Sequence, residues 1–414
     1  MLAAQALLSH HRLLLLQGPM GHFFNQLACW LRRHGAHVAK INFNGGDRLY
    51  HRRLNATDYR GRPEDFTPWL RAFLQAHRID AVVCFGDCRH YHRAAAQICK
   101  EQAMAFYAFE EGYLRPDYIT LEQNGVNAHS RLAADPAVML RYEAGKLPAP
   151  IPTKASFRRM ACSAAAYYVA GWFWRARYPH YRHHKDFSPF REFFCWLRAG
   201  WRKALYQALE HKLRRRILRE WDQRYFLVPL QVFNDSQVLH HSPYRDVRDF
   251  IAEVIFSFSQ YAPEHAALVL KHHPLDRGHR NYAAYIRGLA RQNNVGSRVF
   301  YIHDGHLPSL LKHSLGVVTI NSTVGLSSLH HDKPLITMGR ALYDIPGLTC
   351  QTELHRFWRR PTPPQARLYR KLRSYLVKHT QLNGAYFGYS PWLEHPNAFK
   401  LGAEPIEPAD PKTK

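Results

Sequence analysis

The sequence predicts an α/β protein of two parallel-sheet units facing a central crevice, with a basic helical insertion between them. Three observations predict it. Strand-length apolar runs alternate with amphipathic helical stretches over residues 12–150, and again over 226–350. Residues 154–225 break that rhythm with dense Arg, Lys, Trp and Phe. The length, 414 residues, exceeds what one ordinary core holds. The division read from this is 1–150, 151–225, 226–350, and a C-terminal helix and tail over 351–414.

In the first unit, "RLLLLQ" reads as a strand and "GHFFNQLACWLRRHG" as an amphipathic helix that ends at glycine. "AHVAKINF" is strand-like, "DFTPWLRAFLQAHR" helical and "IDAVVCFG" strand-like. "HYHRAAAQICKEQ" is helical and "AMAFYAF" closes the unit as a strand. In the second unit the strands are "YFLVPLQV", "AALVLKHH", "RVFYIH", "LGVVTI" and "KPLITMG". The helices between them are "DVRDFIAEVIFSFSQYA", "YAAYIRGLARQN", "HLPSLLKHS" and "STVGLSSLHHD". Ligands of such folds bind in the crevice at the carboxyl ends of the strands.

The net charge is +25, from 57 basic and 32 acidic residues, which implies an anionic partner. Residues 154–225 hold seventeen Lys/Arg against five acids, with Tyr167, Tyr168, Trp172, Phe173, Trp174, Phe193, Phe194, Trp196 and Trp201 interleaved. Basic helices with such rings suit an anionic membrane surface. A helical hairpin whose rings pack inward explains the same composition. Single-stranded nucleic acid is a third reading, but no recognition-helix or RNA-binding signature accompanies it.

Seven cysteines, an odd number, argue against a disulfide framework, and Cys84/Cys88 lacks a second pair at metal-site spacing. A reducing cytosol fits. The first residues resemble a signal peptide, but His10, His11 and Arg12 split their apolar run. No apolar stretch is long enough to span a membrane; "CSAAAYYVAGWFW" (162–174) is too short. "PPQARLYRKLRSYLVKHT" reads as a basic amphipathic helix, and the last dozen residues as disordered.

Four strand ends and two loops carry candidate chemistry. "FEEGYLRPDYIT" (109–120) puts Glu110 and Glu111 beside Gly112, with Arg115 following. Adjacent carboxylates raise each other's pKa, as a general base or proton relay requires, although pairing with Arg115 and turn capping would also explain them. "LVLKHHPLDRG" (268–278) ends a strand in Lys271, His272, His273 and Pro274, an imidazole placed to meet phosphate, or a plain surface histidine. "VVTINSTVGLSSL" (317–329) runs a strand into Asn321, Ser322 and Thr323 at a helix start, an anion site or simple capping. "LVPLQVFNDSQV" (227–238) sets Asp235 beyond a strand, as nucleophile, base or turn aspartate. "QGPMGHFF" (17–24), with Gln17, Gly18 and Gly21, is an open glycine loop that matches no dinucleotide or NTPase fingerprint, and "NFNGGD" (42–47) reads as a similar loop.

The acid pair, HP and Asn-Ser-Thr in this order resemble bacterial glycosyltransferases that use CMP-activated 2-keto sugar acids. The chain resembles most closely the capsule polysaccharide biosynthesis/export family of the KpsS/LipB type. "LLLLQGPMGHFFNQLACWLRRHGAHVAKINFNGGD", "FEEGYLRPDYITLEQNGVNAHS", "LKHHPLDRG" and "INSTVGLSSLHHDKPLI" carry that resemblance, across roughly residues 12–350. It implies a GT-B-like fold of two Rossmann-like domains facing a central cleft. It implies a retaining β-Kdo transferase acting at the cytoplasmic face of the inner membrane. Kdo would move from CMP-Kdo to phosphatidylglycerol or its lyso form, to start the capsule linker. A KpsC-like transferase and the capsule ABC exporter would be its partners.

On that resemblance Asp235 is the expected nucleophile, and Glu111 with Glu110 the acid/base, or the reverse. His273 would contact or protonate the phosphate, Ser322 and Thr323 would hold it, and Lys271 or Arg115 would pair with the sugar carboxylate. No DxD motif is present, and neither a metal nor a cofactor is expected. The competing functions are a non-catalytic membrane scaffold for capsule export and a nucleic-acid binder.

Overall fold

The inner strands of the first unit are mostly apolar because helices cover both faces of its sheet. The computed structural model describes residues 2–51, 56–183 and 189–394. Lys185, Asp186 and the tail expected to be disordered lie outside the described residues. The first unit contributes β1 (Arg12–Leu15), β2 (His37–Asn42), β3 (Ala56–Asp58), β4 (Ala81–Phe85), β5 (Ala105–Glu111) and β6 (Tyr118–Gln123). The second contributes β7 (Tyr225–Pro229), β8 (Ala267–Lys271), β9 (Val299–Ile302), β10 (Gly316–Thr319) and β11 (Leu335–Thr337). A last strand, β12 (Gln381–Asn383), returns to the first sheet.

The first sheet runs β12-β6-β5-β4-β1-β2-β3 and the second β11-β10-β7-β8-β9. The core of β1–β5 and every pairing of the second sheet are parallel. Leu13 and Leu15 pack with Phe23, Phe24 and Leu27 on one face, while Leu14 and Leu16 pack with Phe66, Leu70 and Tyr91 on the other. In the second unit Leu227 and Val269 face one core, and Phe226, Val228 and Leu268 the other.

The structure adds features that the βα rhythm did not announce. β5 and β6 form an antiparallel hairpin, with Phe109 opposite Leu121 and Glu111 opposite Ile119. Glu110 and Glu111 are therefore the last two residues of a strand that extends past "AMAFYAF". β6 was hidden because polar residues share its six positions, just after Pro116. The amphipathic C-terminal helix, Ala366–His379, leads into β12, which pairs antiparallel with β6. "NFNGGD" is not an open loop. Asn44 caps a short helix, Gly45–Tyr50, by accepting the Asp47 N–H at 2.9 Å.

Close packing explains those glycines. A Cβ on Gly45 would sit 2.2 Å from the Ala170 carbonyl, and one on Gly46 would sit 2.5 Å from the Tyr167 ring. The short helix thus meets the insertion's first helix, Phe157–Phe173, almost backbone to backbone.

Candidate functional site

The carboxyl ends of β4 and β5 supply the first lobe's side of a cleft. Glu110 is half-buried, and its carboxylate accepts the Glu111 N–H at 3.0 Å. Burial outweighs that bond and, with the Glu111 and Asp87 charges, pushes Glu110 up to about 7. Glu111 itself is exposed.

Two residues after β4, Asp87 is buried and accepts from the Val126 N–H and His129 Nδ1, both at 2.9 Å. Burial pushes Asp87 up, but the His129 and Val126 bonds prevail and hold it below the usual carboxylate range.

On the second lobe, "KHHP" splits into two roles. His272 is buried and bonded to the Tyr301 hydroxyl at 2.7 Å, so it is a core residue. His273 starts the turn after β8, and its Nδ1 accepts the Leu275 N–H at 3.2 Å. Burial, then the Lys271, Arg115 and Arg277 charges, lower His273 to about 4. It is therefore neutral near pH 7, with Nδ1 as acceptor and Nε2–H left as donor. That arrangement suits contact with a phosphate rather than protonation of it. Pro274 is exposed at the turn. Lys271 is buried, and desolvation lowers its pKa against the pull of Asp304.

Asp235 caps the short helix Ser236–His241, accepting the Gln237 N–H at 2.9 Å and Gln231 Nε2 at 3.2 Å. Gln231 also reaches Asn321 at 3.1 Å, and the Asn321 amide donates to the Gln237 and His241 carbonyls at 2.9 and 3.2 Å. Asn321 thus ties the end of β10 to that helix. Ser322 Oγ accepts the Val324 N–H at 3.2 Å. Thr323 lines a narrow interlobe cavity with Asn127, Gln237, Asn321 and Arg340.

The lobes touch where these ends converge. Cys88 Sγ lies 3.6 Å from His241 Nε2, and the His129 and His241 rings meet edge-on at 4.7 Å. The Arg115 charge reaches His273 across the cleft. Arg115 is exposed, with Nε donating to the Gly112 carbonyl at 3.2 Å.

The glycine-loop candidates stand elsewhere. Gln17 is buried, with its amide engaged by Tyr167 at 2.8 Å and Arg89 at 2.9 Å; it anchors the insertion and offers no open face to a ligand. Gly18 packs on the Phe24 ring, and Gly21 lies near Ser163 and Phe387. Gly112 is buried where β5 turns, its Cα against the Tyr118 carbonyl. Sequence reasoning passed over Asp87, His129, Gln237, His241 and Arg340, and weighed Cys88 only as a pair with Cys84. "FGDCRH" had the same strand-then-charge form as the chosen motifs and was the signal available.

The insertion spans both lobes. Tyr167 on Phe157–Phe173 is buried and donates to Asp47 at 3.0 Å in the first lobe. The next helix, Pro189–Leu209, packs on the second lobe: Cys195 abuts Gly278, and Arg202 donates to the Arg277 carbonyl at 2.9 Å. It therefore flanks the His273 turn. The outer faces carry Phe157, Val169, Trp172, Phe173, Phe194, Trp196, Leu197, Trp201 and Leu209, nine of the sixteen large exposed apolar side chains among the described residues. Phe157 stacks on Trp196 at 6.4 Å. So Tyr167 packs inward, while most of the large rings face out. No helix among the described residues is long and apolar enough to cross a membrane.

Two α/β sheets, one wholly parallel and one with a parallel core, meeting at their strand ends across such a cleft place the chain in the GT-B-like class. The chain belongs to the family described as capsule polysaccharide biosynthesis protein, which it matches over residues 80–387. It is 48% identical to the capsule polysaccharide export protein KpsS of Escherichia coli, over 93% of this chain and 99% of that one. It is 40% identical to the capsule polysaccharide modification protein LipB of Neisseria meningitidis serogroup A, over 92% of each. Among solved structures, the β-Kdo 2,7 transferase of Thermosulfurimonas dismutans KpsC is similar at TM-score 0.40 and 14% identity, over 87% of this chain and 89% of that one. The family read from the sequence motifs is the family found.

Proposed function

We propose that the protein is a retaining β-Kdo glycosyltransferase that moves Kdo from CMP-Kdo to a phosphatidylglycerol-type lipid, beginning the capsule linker. The observation that carries this is Glu110. A carboxyl raised to about 7 ends a strand on one lobe, and a neutral imidazole and the Ser322 and Thr323 hydroxyls follow strands on the other.

Glu110 would take the proton of the acceptor hydroxyl. His273 Nε2–H, with the Ser322 and Thr323 hydroxyls, would hold the departing CMP phosphate. Arg115, exposed and facing the His273 turn, suits the sugar carboxylate better than buried Lys271. Asp235 would attack the anomeric carbon as the bond to CMP breaks, giving up its capping bond, and the acceptor oxygen, its proton passed to Glu110, would then displace Asp235. Transfer itself would need no metal.

The exposed rings and cations of residues 157–209 would lie on an anionic leaflet and bring the lipid headgroup to the cleft mouth. On this reading the protein would work at the cytoplasmic face of the inner membrane, beside a KpsC-like transferase and the capsule exporter. The same ring belt would serve a scaffold without catalysis.

One assay separates the two. The protein is incubated with CMP-Kdo regenerated in situ and a fluorescent phosphatidylglycerol analogue, and the lipid is read by mass spectrometry. A lipid heavier by one Kdo is expected. Vesicle binding with no mass increase would establish the scaffold instead.

A further inference from the structure

We propose that Cys88, His129 and His241 form a binding site for a thiophilic divalent cation, Zn(II) foremost, that joins the two lobes. Their ligand atoms all lie within 4.8 Å of one another. Cys88 follows β4, and His129 closes the turn Asn127–His129 after β6, both on the first lobe; His241 ends the helix Ser236–His241 on the second.

The geometry is that of a metal site rather than of chance proximity. Cys88 Sγ and His241 Nε2 are 3.6 Å apart. A tetrahedral zinc with Zn–S of about 2.3 Å and Zn–N of about 2.0–2.1 Å sets sulfur and nitrogen about 3.6 Å apart. His129 Nδ1 is bonded to Asp87 at 2.9 Å, leaving Nε2 as the ring's open nitrogen. A carboxylate on the far nitrogen is how proteins orient a metal-binding imidazole and raise its basicity.

The supports of the site are themselves held. The Val126 N–H fixes Asp87 at 2.9 Å. The His241 carbonyl accepts the Arg340 N–H at 2.8 Å and the Asn321 amide at 3.2 Å. His129 is exposed on one side, so three protein ligands leave a fourth position open to the cleft. One thiolate and two imidazoles select zinc over the hard cations magnesium and calcium. The site lies next to Asn321, so a bound cation would set how closely the lobes approach beside the Asn-Ser-Thr turn.

This departs from the expectation of no metal, which rested on the family resemblance and on the absence of a DxD motif and of a second cysteine pair. None of these bears on a site whose ligands come from three distant points of the chain.

The test uses full-length protein stripped with chelator, then titrated with ZnCl2 in competition with a chromophoric chelator. Wild type is expected to bind one tight equivalent, and zinc to raise its melting temperature. Cys88→Ser and His241→Gln are each expected to weaken binding at least about 100-fold, and Asp87→Asn about 10–100-fold. His240→Gln, at an exposed neighbour, should change nothing. Co(II) in wild type should give a thiolate-to-cobalt charge-transfer band, a reading that needs no variant to fold. Absence of that band, or zinc affinity equal in wild type and Cys88→Ser, overturns the site. So does binding of several weak equivalents insensitive to all the substitutions.

Discussion

The Glu111 amide donates to the Glu110 carboxylate at 3.0 Å, yet Glu110 stays protonated up to about pH 7. One backbone hydrogen bond does not repay the loss of water around a half-buried charge. If Glu110 is the base, Glu110→Gln should lower turnover by about 10²–10⁴-fold with the fold intact. Wild-type activity should fall as pH drops below 7.

The same shift has a stability consequence. Glu110 is raised from 4.5 to about 7, so between those values the folded chain binds the extra proton. Its contribution to stability is complete below pH 4.5 and lost as pH rises through 7. Glu110→Gln, which carries no charge, should therefore unfold at higher denaturant than wild type at pH 8 and lose that advantage at pH 4.5. Urea titrations at the two pH values measure this.

His273 is expected to act as a neutral donor. His273→Ala should lower kcat/KM by about 10²–10³-fold, and His273→Gln by less, because its amide still donates. With its pKa lowered to about 4, His273 adds no ionisation to the rate profile between pH 5 and 8. Arg115→Gln removes one of the charges that lower it, so an NMR titration should find the His273 pKa higher in that variant.

The outward rings should govern membrane attachment alone. Trp172 and Trp201 are 49% and 66% exposed. Trp172→Ala with Trp201→Ala should weaken binding to phosphatidylglycerol vesicles by about tenfold or more per ring. Sedimentation with vesicles measures this, and turnover of a detergent-dispersed acceptor should be unchanged.

Tyr167 should matter for stability. Its hydroxyl donates to Asp47 at 3.0 Å and accepts from Gln17 and Asn44 at 2.8 and 2.7 Å. Tyr167→Phe leaves those buried groups short of a partner, at a cost of about 1–3 kcal/mol. A lower unfolding midpoint in urea is the expected result.

The amino-acid order alone settled the two α/β units, the position of the basic insertion and the strand ends at which the candidate residues stand. Those are local matters: a two-residue or four-residue repeat of apolar side chains is visible within a dozen positions, and so is the residue that ends it. The family motifs were equally local. Folding alone settled which candidates meet. It buried Gln17 under Tyr167, made Asp235 a helix cap, kept His272 in the core and set His273 to accept the Leu275 N–H. It also set Cys88 beside His129 and His241. These contacts join points far apart in the chain, and the desolvation that moves Glu110 and His273 arises only when the lobes pack around them. Neither effect leaves a trace in the spacing of neighbouring residues.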